Sequence, residues 1–293
     1  HDAREAAERQ WGDIRRALSP MGEKALDLLH TLITLECDEK SVKTQCRRIR
    51  RAIMLHAVKH KPIGVLKRRF VFEWSKVIRF FRPPGAMIAI LGVDGSGKST
   101  LIEAITPVLK ETTHNAFYIH HLRPSLLPPL ARFKGKKSVQ EGPVLEPHGA
   151  TPSGVIGSLL RLSYLTLDYI VGYWIKVRPI IAKQPAIVLF DRYAYDMAMD
   201  PRRFRIGVSG RVAQWFTKLA PKPDLILCIT ASPPVITARK QELPIEETKR
   251  QVEALQEFAQ KEPRAIVISN EDSVDDVRER VFQALYDFFK GRI

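Results

Sequence analysis

A loop with three glycines and a lysine carries the clearest chemical signal in the sequence. It runs from Gly92 to Thr100 as GVDGSGKST and matches the pattern G-x-x-x-x-G-K-[ST]. Glycines let such a loop turn tightly and bring backbone N–H groups close to phosphate oxygens. We expect Lys98 to reach the β- and γ-phosphates of ATP, and the Ser99 hydroxyl to bind Mg²⁺. The predicted ATP·Mg²⁺ contacts are Gly92, Asp94, Gly95, Ser96, Gly97, Lys98, Ser99 and Thr100, of which Thr100 is also expected to pack its helix.

A second polar cluster, Asp191-Arg192-Tyr193, directly follows the apolar segment Ala186 to Phe190. Open α/β sheets bind ligands at the carboxyl ends of their strands. There Asp191 would act on Mg²⁺ or its bound water, or orient the attacking oxygen. Arg192 would clamp phosphoryl oxygens through its planar guanidinium. The alternative is a metal-site aspartate followed by a structural arginine, and both interpretations keep Asp191 at the metal.

Short apolar segments alternate with longer amphipathic stretches after residue 85, and this alternation predicts the fold. Segments of four to six residues rich in Ile, Val and Leu are typical of strands buried on both faces. The predicted strands are Ala86 to Leu91, Ala116 to Ile119, Ala186 to Phe190, Leu225 to Ile229 and Ala265 to Ile268. The predicted helices are 98–111, 153–183, 208–220, 232–240, 246–260 and 273–291. We therefore expect an α/β fold of three layers, a parallel sheet flanked by helices, with the proline-rich stretch 123–152 as an irregular loop.

Residues 1–82 differ in composition and predict a basic helical extension. Alanine, leucine and charged residues dominate there, and Ser19-Pro20 is a suitable start for a helix over Met21 to Glu36. Pro83-Pro84-Gly85 cannot continue a helix, so it marks the predicted boundary to a phosphate-binding domain over 86–293.

Most of the chain's net charge of +15 lies in one part of this extension. Residues 43–82 contain thirteen Lys or Arg and one acid, Glu73. Within them, Val65 to Arg82 alternates aromatic and aliphatic residues with basic ones at helical spacing. Such a helix could pack its apolar face on the C-terminal domain or on an upstream domain, or it could lie on an anionic membrane. Nucleic acid is disfavoured because no recognised reader module is present.

Length and composition restrict the class of protein. The 293 residues are 45% hydrophobic, which suffices for a sizeable core. Three distant cysteines suggest neither a disulfide framework nor a zinc site, so we expect a cytoplasmic protein, with peripheral association at the inner membrane face left open. No apolar run approaches the ~18 residues of a membrane span, and no signal peptide is visible. The chain opens with His1, so it is treated as a potential fragment.

The two motifs together resemble those of thymidylate kinases. That family has an acidic residue in the phosphate-binding loop where Asp94 stands, and an Asp-Arg-Tyr or Asp-Arg-His sequence where Asp191-Arg192-Tyr193 stands. The resemblance implies that Asp94 contacts the acceptor sugar, and that Arg192 and Tyr193 also contact the acceptor. Alternatively, Asp94 only stabilises its own turn.

Two further regions match this family more weakly. Arg123-Pro124 lies where the family has an Arg-Glu-Pro sequence that binds the acceptor's phosphate; His120 and His121 precede it, as substrate contacts or as structural residues. A mobile lid is implied at about 239–250. Some members carry an arginine where Gly95 stands, so a lid cation would have to replace it here, Arg239 first and Arg250 second. The alternative is that Arg239 and Arg250 only form part of a solvated helix face.

The departures from this family lie on the acceptor side, where Leu91 replaces a glutamate and the loop 123–152 is long. The sequence thus predicts an ATP-dependent phosphotransferase that resembles a nucleoside monophosphate kinase and acts on a small acceptor. Two alternatives stay open, a kinase for a sugar or glycan precursor and a nucleotide-binding module without catalysis. Lys98, Asp191, Arg192 and Arg239 are the predicted catalytic residues, and a homodimer is compatible with the sequence.

Overall fold

A computed structural model describes residues 2–34, 39–128, 153–239 and 244–292, which fall into two compact units, His1–Val77 and Ile78–Ile293. The first unit is helical. Its elements are α1 (Asp2–Arg9), α2 (Trp11–Leu18), a 3₁₀ turn (Ser19–Met21), α3 (Glu23–Thr34), α4 (Glu39–His60) and most of α5 (Pro62–Phe81).

The predicted helix start at Ser19-Pro20 is wrong. These residues form the 3₁₀ turn, and α3 begins only at Glu23. The reason is Gly22, whose φ of 88° lies in the left-handed region and interrupts helical geometry. Pro62, in contrast, occupies the first position of α5, where its missing N–H costs nothing.

The second unit is built on a five-stranded parallel sheet in the order β2-β3-β1-β4-β5. The strands are β1 (Ala86–Leu91), β2 (Phe117–His121), β3 (Ile187–Asp191), β4 (Leu225–Thr230) and β5 (Ala265–Ser269). All five predicted strands are confirmed. Burial on both faces holds for the three central strands, whereas the edge strands expose several side chains, because an edge strand has a neighbour on one side only.

Helices cover both faces of this sheet, which confirms the predicted three layers. They are α6 (Lys98–Thr112), α7 (Val155–Gly172), a π-helical turn (Tyr173–Val177), α8 (Arg178–Lys183), α9 (Asp196–Met199), α10 (Gly210–Leu219), α11 (Pro233–Arg239), α12 (Ile245–Lys261) and α13 (Val274–Lys290). On one face α6 and α13 pack against Ile88 and Ile90, and on the other α7 packs against Met87 and Ala89. Alternate residues of β1 therefore belong to two separate cores.

The helical stretch Val155–Lys183 agrees with the predicted helix over 153–183, but it corrects the expectation that no apolar stretch approaches the length of a membrane span. Within the described residues, this is the one helix long and apolar enough to cross a membrane by length and composition. Four of its large side chains, Leu162, Tyr169, Val177 and Ile181, are fully buried in the core of the second unit, and 33% of the apolar window is buried.

The predicted loop over 123–152 is described only to residue 128, and 129–152 lie outside the described residues.

Register places the polar motifs together. Ile90 of β1 pairs with Asp191 of β3, and Leu91 of β1 pairs with Cys228 of β4. The loop that follows β1 therefore leaves the sheet beside the carboxyl end of β3.

Candidate functional site

The loop between β1 and α6 has the conformation that its glycines permit. Gly95 and Gly97 both have φ of 85°, in the left-handed region. A Cβ at Gly97 would lie 2.1 Å from Nδ2 of Asn270, which donates a 2.6 Å hydrogen bond to the Ser96 carbonyl. A side chain at Gly97 is therefore excluded both by backbone geometry and by space. Asn270, which follows β5, holds the loop in place and was not foreseen from the sequence.

Lys98 begins α6 and is buried beneath the loop. Its Nζ donates to the carbonyl oxygens of Gly92 and Val93, each at 2.7 Å. Burial, followed by repulsion from Arg192, lowers the pKa of Lys98 to about 7, against the opposing pull of nearby carboxylates. The ammonium group therefore has carbonyl partners and no direct ion pair in the part of the chain that the structure describes. A phosphate would supply the anion that this group lacks.

The hydroxyl groups of the loop differ in burial. Ser99 and Thr100 are exposed, so the expected packing role of Thr100 is wrong, since its position on α6 faces away from the core. Ser96 is fully buried, and its Oγ has no hydrogen-bond partner among the described residues. A buried hydroxyl without a partner is costly unless a ligand or water satisfies it.

Asp191 ends β3, and its two carboxylate oxygens differ in their surroundings. Oδ2 lies 3.0 Å from Nδ1 of His121, at the end of β2. Oδ1 is buried, and no described residue hydrogen-bonds to it. Burial would raise the pKa of Asp191, but the hydrogen bond from His121 and the charge of Lys98 outweigh it, so the pKa is lowered. The carboxylate is thus ionised and oriented at neutral pH.

These groups fit a magnesium ion bound together with phosphates. Mg²⁺ takes oxygen ligands and keeps several waters, so one hydroxyl and one carboxylate suffice on the protein side. The hydroxyl of the exposed Ser99 and the buried Oδ1 of Asp191, which has no partner among the described residues, are oxygen ligands of this kind. Larger clusters of His, Cys, Asp or Glu that would hold a metal without phosphates are absent from the described residues.

Asp94, the acidic residue of the loop, lies between two arginines. It accepts hydrogen bonds from Nη2 of Arg192 and, at 2.6 Å, from Nη1 of Arg203. Burial acts to raise the pKa of Asp94, but Arg192, Lys98 and Arg203 lower it to about 2. The alternative in which Asp94 only stabilises its own turn is therefore wrong, because its carboxylate pairs with groups distant in sequence.

Arg192 is buried and adopts an unusual backbone conformation. Its φ of 71° is left-handed, its backbone N–H donates to the Ile90 carbonyl, and its Nη1 donates to Asp196 at 3.4 Å. Left-handed geometry in a non-glycine residue costs energy and often occurs at functional sites. The tight turn directs the guanidinium back toward Asp94 and the loop.

Comparison with solved structures identifies the fold. The chain is similar to thymidylate kinase from Candida albicans, with a TM-score of 0.50 and 19% identity over 71% of this chain and 94% of that one. It is also similar to thymidylate kinase from Ehrlichia chaffeensis, with a TM-score of 0.47 and 16% identity over 69% of this chain and 98% of that one. No family model and no curated protein matches the chain.

The chain has a thymidylate kinase-like fold. The resemblance seen in the two motifs is confirmed at the level of the fold, and at this identity it extends no further.

Arg123, predicted to bind the acceptor's phosphate in this thymidylate kinase-like fold, has an internal partner. Its Nη1 donates to Oδ2 of Asp168 at 2.8 Å and to the Leu127 carbonyl at 3.2 Å. The fully buried Asp168 also accepts the backbone N–H groups of Leu126 and Leu127. Arg123 thus helps to fix the segment after β2, and its Nη1 is committed to internal partners.

Tyr193 does not line the site. It is 1% exposed, packs edge-on against Phe190 and Tyr169, and donates its hydroxyl to the Pro221 carbonyl. The predicted substrate contact is therefore wrong, because the turn at Arg192 directs the next side chain into the core.

The two histidines at the end of β2 have different environments. His120 stacks on the Phe190 ring at a centroid distance of 5.2 Å, and burial together with Lys176 lowers its pKa, so the structural interpretation applies to His120. His121 is exposed and oriented toward Asp191, which places it at the site.

Arg239 and Arg250, the predicted lid cations, occupy different environments. Nη1 of Arg239 donates to the Asn270 carbonyl at 2.8 Å and lies 3.8 Å from where a Cβ on Gly97 would be. Arg250 pairs with Glu247 on its own helix at 2.6 Å and reaches the Met199 carbonyl. Arg239 is therefore beside the phosphate-binding loop. Residues 240–243 of the predicted lid lie outside the described residues.

Arg203 and Asp196 are site residues that sequence reasoning missed. Arg203 reaches Asp94 across 109 positions of sequence, and Asp196 pairs with Arg192 from the short helix α9. The one sequence feature that could have indicated Arg203 is the pair Arg202-Arg203, which begins nine positions after Tyr193. Without the fold, nothing distinguished this pair from other surface arginines.

Proposed function

We propose that this chain is a phosphotransferase that moves the γ-phosphoryl group of ATP to a small acceptor. The observation that carries the proposal is the buried Oδ1 of Asp191, to which no described residue hydrogen-bonds. It lies beside a phosphate-binding loop whose lysine donates to two carbonyl oxygens and forms no ion pair within the described residues. A thymidylate kinase-like fold supports it, because the two solved relatives are thymidylate kinases.

The loop would bind the phosphates of ATP through its backbone N–H groups and Lys98. Breaking the hydrogen bonds of Lys98 to Gly92 and Val93 frees its ammonium group to neutralise negative charge on the β- and γ-phosphates. Ser99 and Asp191 would hold Mg²⁺, which supplies charge neutralisation at the phosphates when bound. Arg239, held by Asn270 next to Gly97, would add a further positive charge at this end of the site.

The acceptor would bind where Arg192 and Arg203 converge on Asp94. Arg192 is also paired with Asp196, so two carboxylates balance the two guanidinium groups, and an anionic acceptor would displace Asp94 from them. Asp94 itself can accept a hydrogen bond from an acceptor hydroxyl, as the family resemblance implies. Catalysis would come mainly from positioning and charge stabilisation, because phosphoryl transfer needs little covalent help.

A nucleoside monophosphate is the first candidate acceptor, and a phosphorylated sugar or glycan precursor is the second. Neither the internal pairing of Arg123 with Asp168 nor the burial of Tyr193 selects one of these acceptors, because both carry a phosphate group.

Acceptor-stimulated release of ADP tests the proposal. The full chain would be incubated with ATP, Mg²⁺ and one acceptor at a time from panels of nucleoside monophosphates and sugar phosphates. We expect at least one acceptor to stimulate ADP release by about 10²-fold or more, with labelled phosphate recovered on the acceptor. Tight ATP binding without transfer to any acceptor would instead indicate a nucleotide-binding module that has no catalytic activity.

A further inference from the structure

Helix α5 presents an apolar face to solvent along its whole length. Every residue of α5 is described, and none is buried. At 100° per residue, seven large apolar side chains fall within an arc of about 120°. They are Ile63, Leu66, Phe70, Trp74, Val77, Ile78 and Phe81, and they are 44–82% exposed. We call this face the apolar arc.

An exposed apolar face of this size indicates that α5 binds another surface. Single exposed apolar residues are common on proteins, but a contiguous row of seven marks an interaction surface. The rings of Phe70 and Trp74 stack within it at a centroid distance of 6.1 Å, which makes the centre of the arc aromatic. Such rings, and the indole in particular, are suited to the boundary between hydrocarbon and water.

Basic residues occur on the other sides of α5 and, at Lys67, within the apolar arc itself. Lys67, Arg68, Arg69 and Lys76 are exposed on α5, and Arg47, Arg48, Arg50 and Arg51 are exposed on α4. The one acid on α5, Glu73, is hydrogen-bonded to Lys76 at 3.0 Å and so adds no unpaired negative charge. The long stems of Lys and Arg let their charges reach outward while an adjacent apolar face is buried.

We propose that α5 lies on an anionic lipid bilayer, with the apolar arc in the interface and the basic side chains at lipid phosphates. An amphipathic helix with aromatic residues on one face and Lys and Arg around it has the composition of an interfacial helix. Nucleic acid would satisfy the basic residues but would leave the aromatic face in water. A protein partner would have to be both apolar and strongly acidic, whereas an anionic bilayer has both properties by nature.

Vesicle cosedimentation with the full chain tests this proposal. Vesicles of phosphatidylcholine with about 30% phosphatidylserine should bind the chain at least about tenfold more tightly than pure phosphatidylcholine. Binding should weaken as salt rises from about 0.1 to 0.5 M, because screening reduces attraction to the surface. The test needs neither ATP nor an acceptor, so its outcome is independent of the proposed phosphotransfer.

Phe72 provides a matched control for the apolar arc. It is 56% exposed, close to the 55% of Trp74, but it lies on the opposite side of α5 beneath the Lys76 ammonium. The double variant F70S/W74S should lose about tenfold or more in vesicle affinity, whereas F72S should change it by less than about threefold. Thermal unfolding of both variants checks that exposed substitutions leave the fold intact.

Trp74 also reports its own environment. Vesicles should shift the tryptophan emission of the native chain to the blue, and W74F, which keeps an aromatic ring, should bind equally well while losing most of that shift. The proposal is overturned by equal binding to neutral and anionic vesicles, or by equal losses in F70S/W74S and F72S. It is also overturned by tighter binding to duplex DNA than to anionic vesicles, or by F70S/W74S converting a dimer of the chain to monomers.

Discussion

The two halves of the candidate site differ in how their charged groups are satisfied. On the phosphate-loop side, Lys98 donates to two backbone carbonyls and has no ion pair among the described residues. There too, Oδ1 of Asp191 is buried without a described partner, and Ser99 is exposed. On the acceptor side, the arginines are paired with carboxylates, Arg123 with Asp168 and Arg203 with Asp94. The loop side is therefore ready to accept a ligand, and the acceptor side is held in place by its own ion pairs.

This difference indicates two ways of preparing a site for anions. Backbone N–H groups at a helix start are oriented by the fold and need no counter-ion. Guanidinium groups carry full charges, and in a buried site each needs a partner until the substrate arrives. An acceptor must therefore compete with Asp94 for Arg192 and Arg203, which makes binding selective for groups that replace a carboxylate well.

Removal of the Lys98 ammonium should have the largest effect. In K98A we expect phosphotransfer to fall by about 10³-fold, or about 4 kcal/mol, because the phosphates lose their one buried cation from the loop. Stopped assays of ADP release with the best acceptor measure this. K110A, an exposed substitution on the same helix, should leave activity within about twofold. Equal losses in both variants would contradict the role given to Lys98.

Disruption of the Asp168 pair should lower stability on the acceptor side. Replacement D168N keeps the shape but removes the charge that holds Arg123 and weakens acceptance of two backbone N–H groups. We expect the free energy of unfolding to fall by about 3 kcal/mol. Chemical denaturation of D168N, R123Q and the double variant measures the coupling. If R123Q instead leaves stability unchanged and raises KM for the acceptor, then Arg123 binds substrate.

Loss of the Asp191 carboxylate should reduce activity rather than stability. In D191N we expect a fall of about 10²-fold, or about 2.7 kcal/mol, together with a higher Mg²⁺ requirement, because an amide oxygen is a weaker magnesium ligand. Initial rates across a Mg²⁺ titration measure both. D224N is the matched control, since Asp224 accepts from the Met87 N–H at the opposite end of the sheet. Its Mg²⁺ dependence should match that of the native chain.

The sequence predicted the loop side better than the acceptor side for a physical reason. A buried strand, a glycine-rich loop and a helix start are each encoded by neighbouring residues, so the sequence from Gly92 to Ser99 is enough to predict the conformation of the loop. All five strands were predicted because uninterrupted apolar segments are also local signals. The acceptor side depends on contacts between distant residues, such as Arg203 with Asp94, which the chain order does not reveal. Tyr193 shows the same limit, because its direction depends on the left-handed turn at Arg192.

The smallest expected effect concerns Asp94 and has a defined pH dependence. Because the folded state lowers the pKa of Asp94 from 3.8 to about 2, its ionised form adds stability that is present above pH 3.8 and lost as pH falls toward 2. In D94N we therefore expect the free energy of unfolding to drop by about 2 kcal/mol at neutral pH, and the difference from the native chain to disappear near pH 2.

Urea unfolding at several pH values measures this difference, and D275N is its control. Asp275 is also paired with an arginine, Arg278 at 3.0 Å, but its side chain is 78% exposed, so its loss should cost less than about 0.5 kcal/mol at any pH. A D94N variant as mild as D275N would mean that the two arginines do not depend on Asp94 in solution. The acceptor side would then be as open to ligands as the loop side, and the contrast between the two halves would disappear.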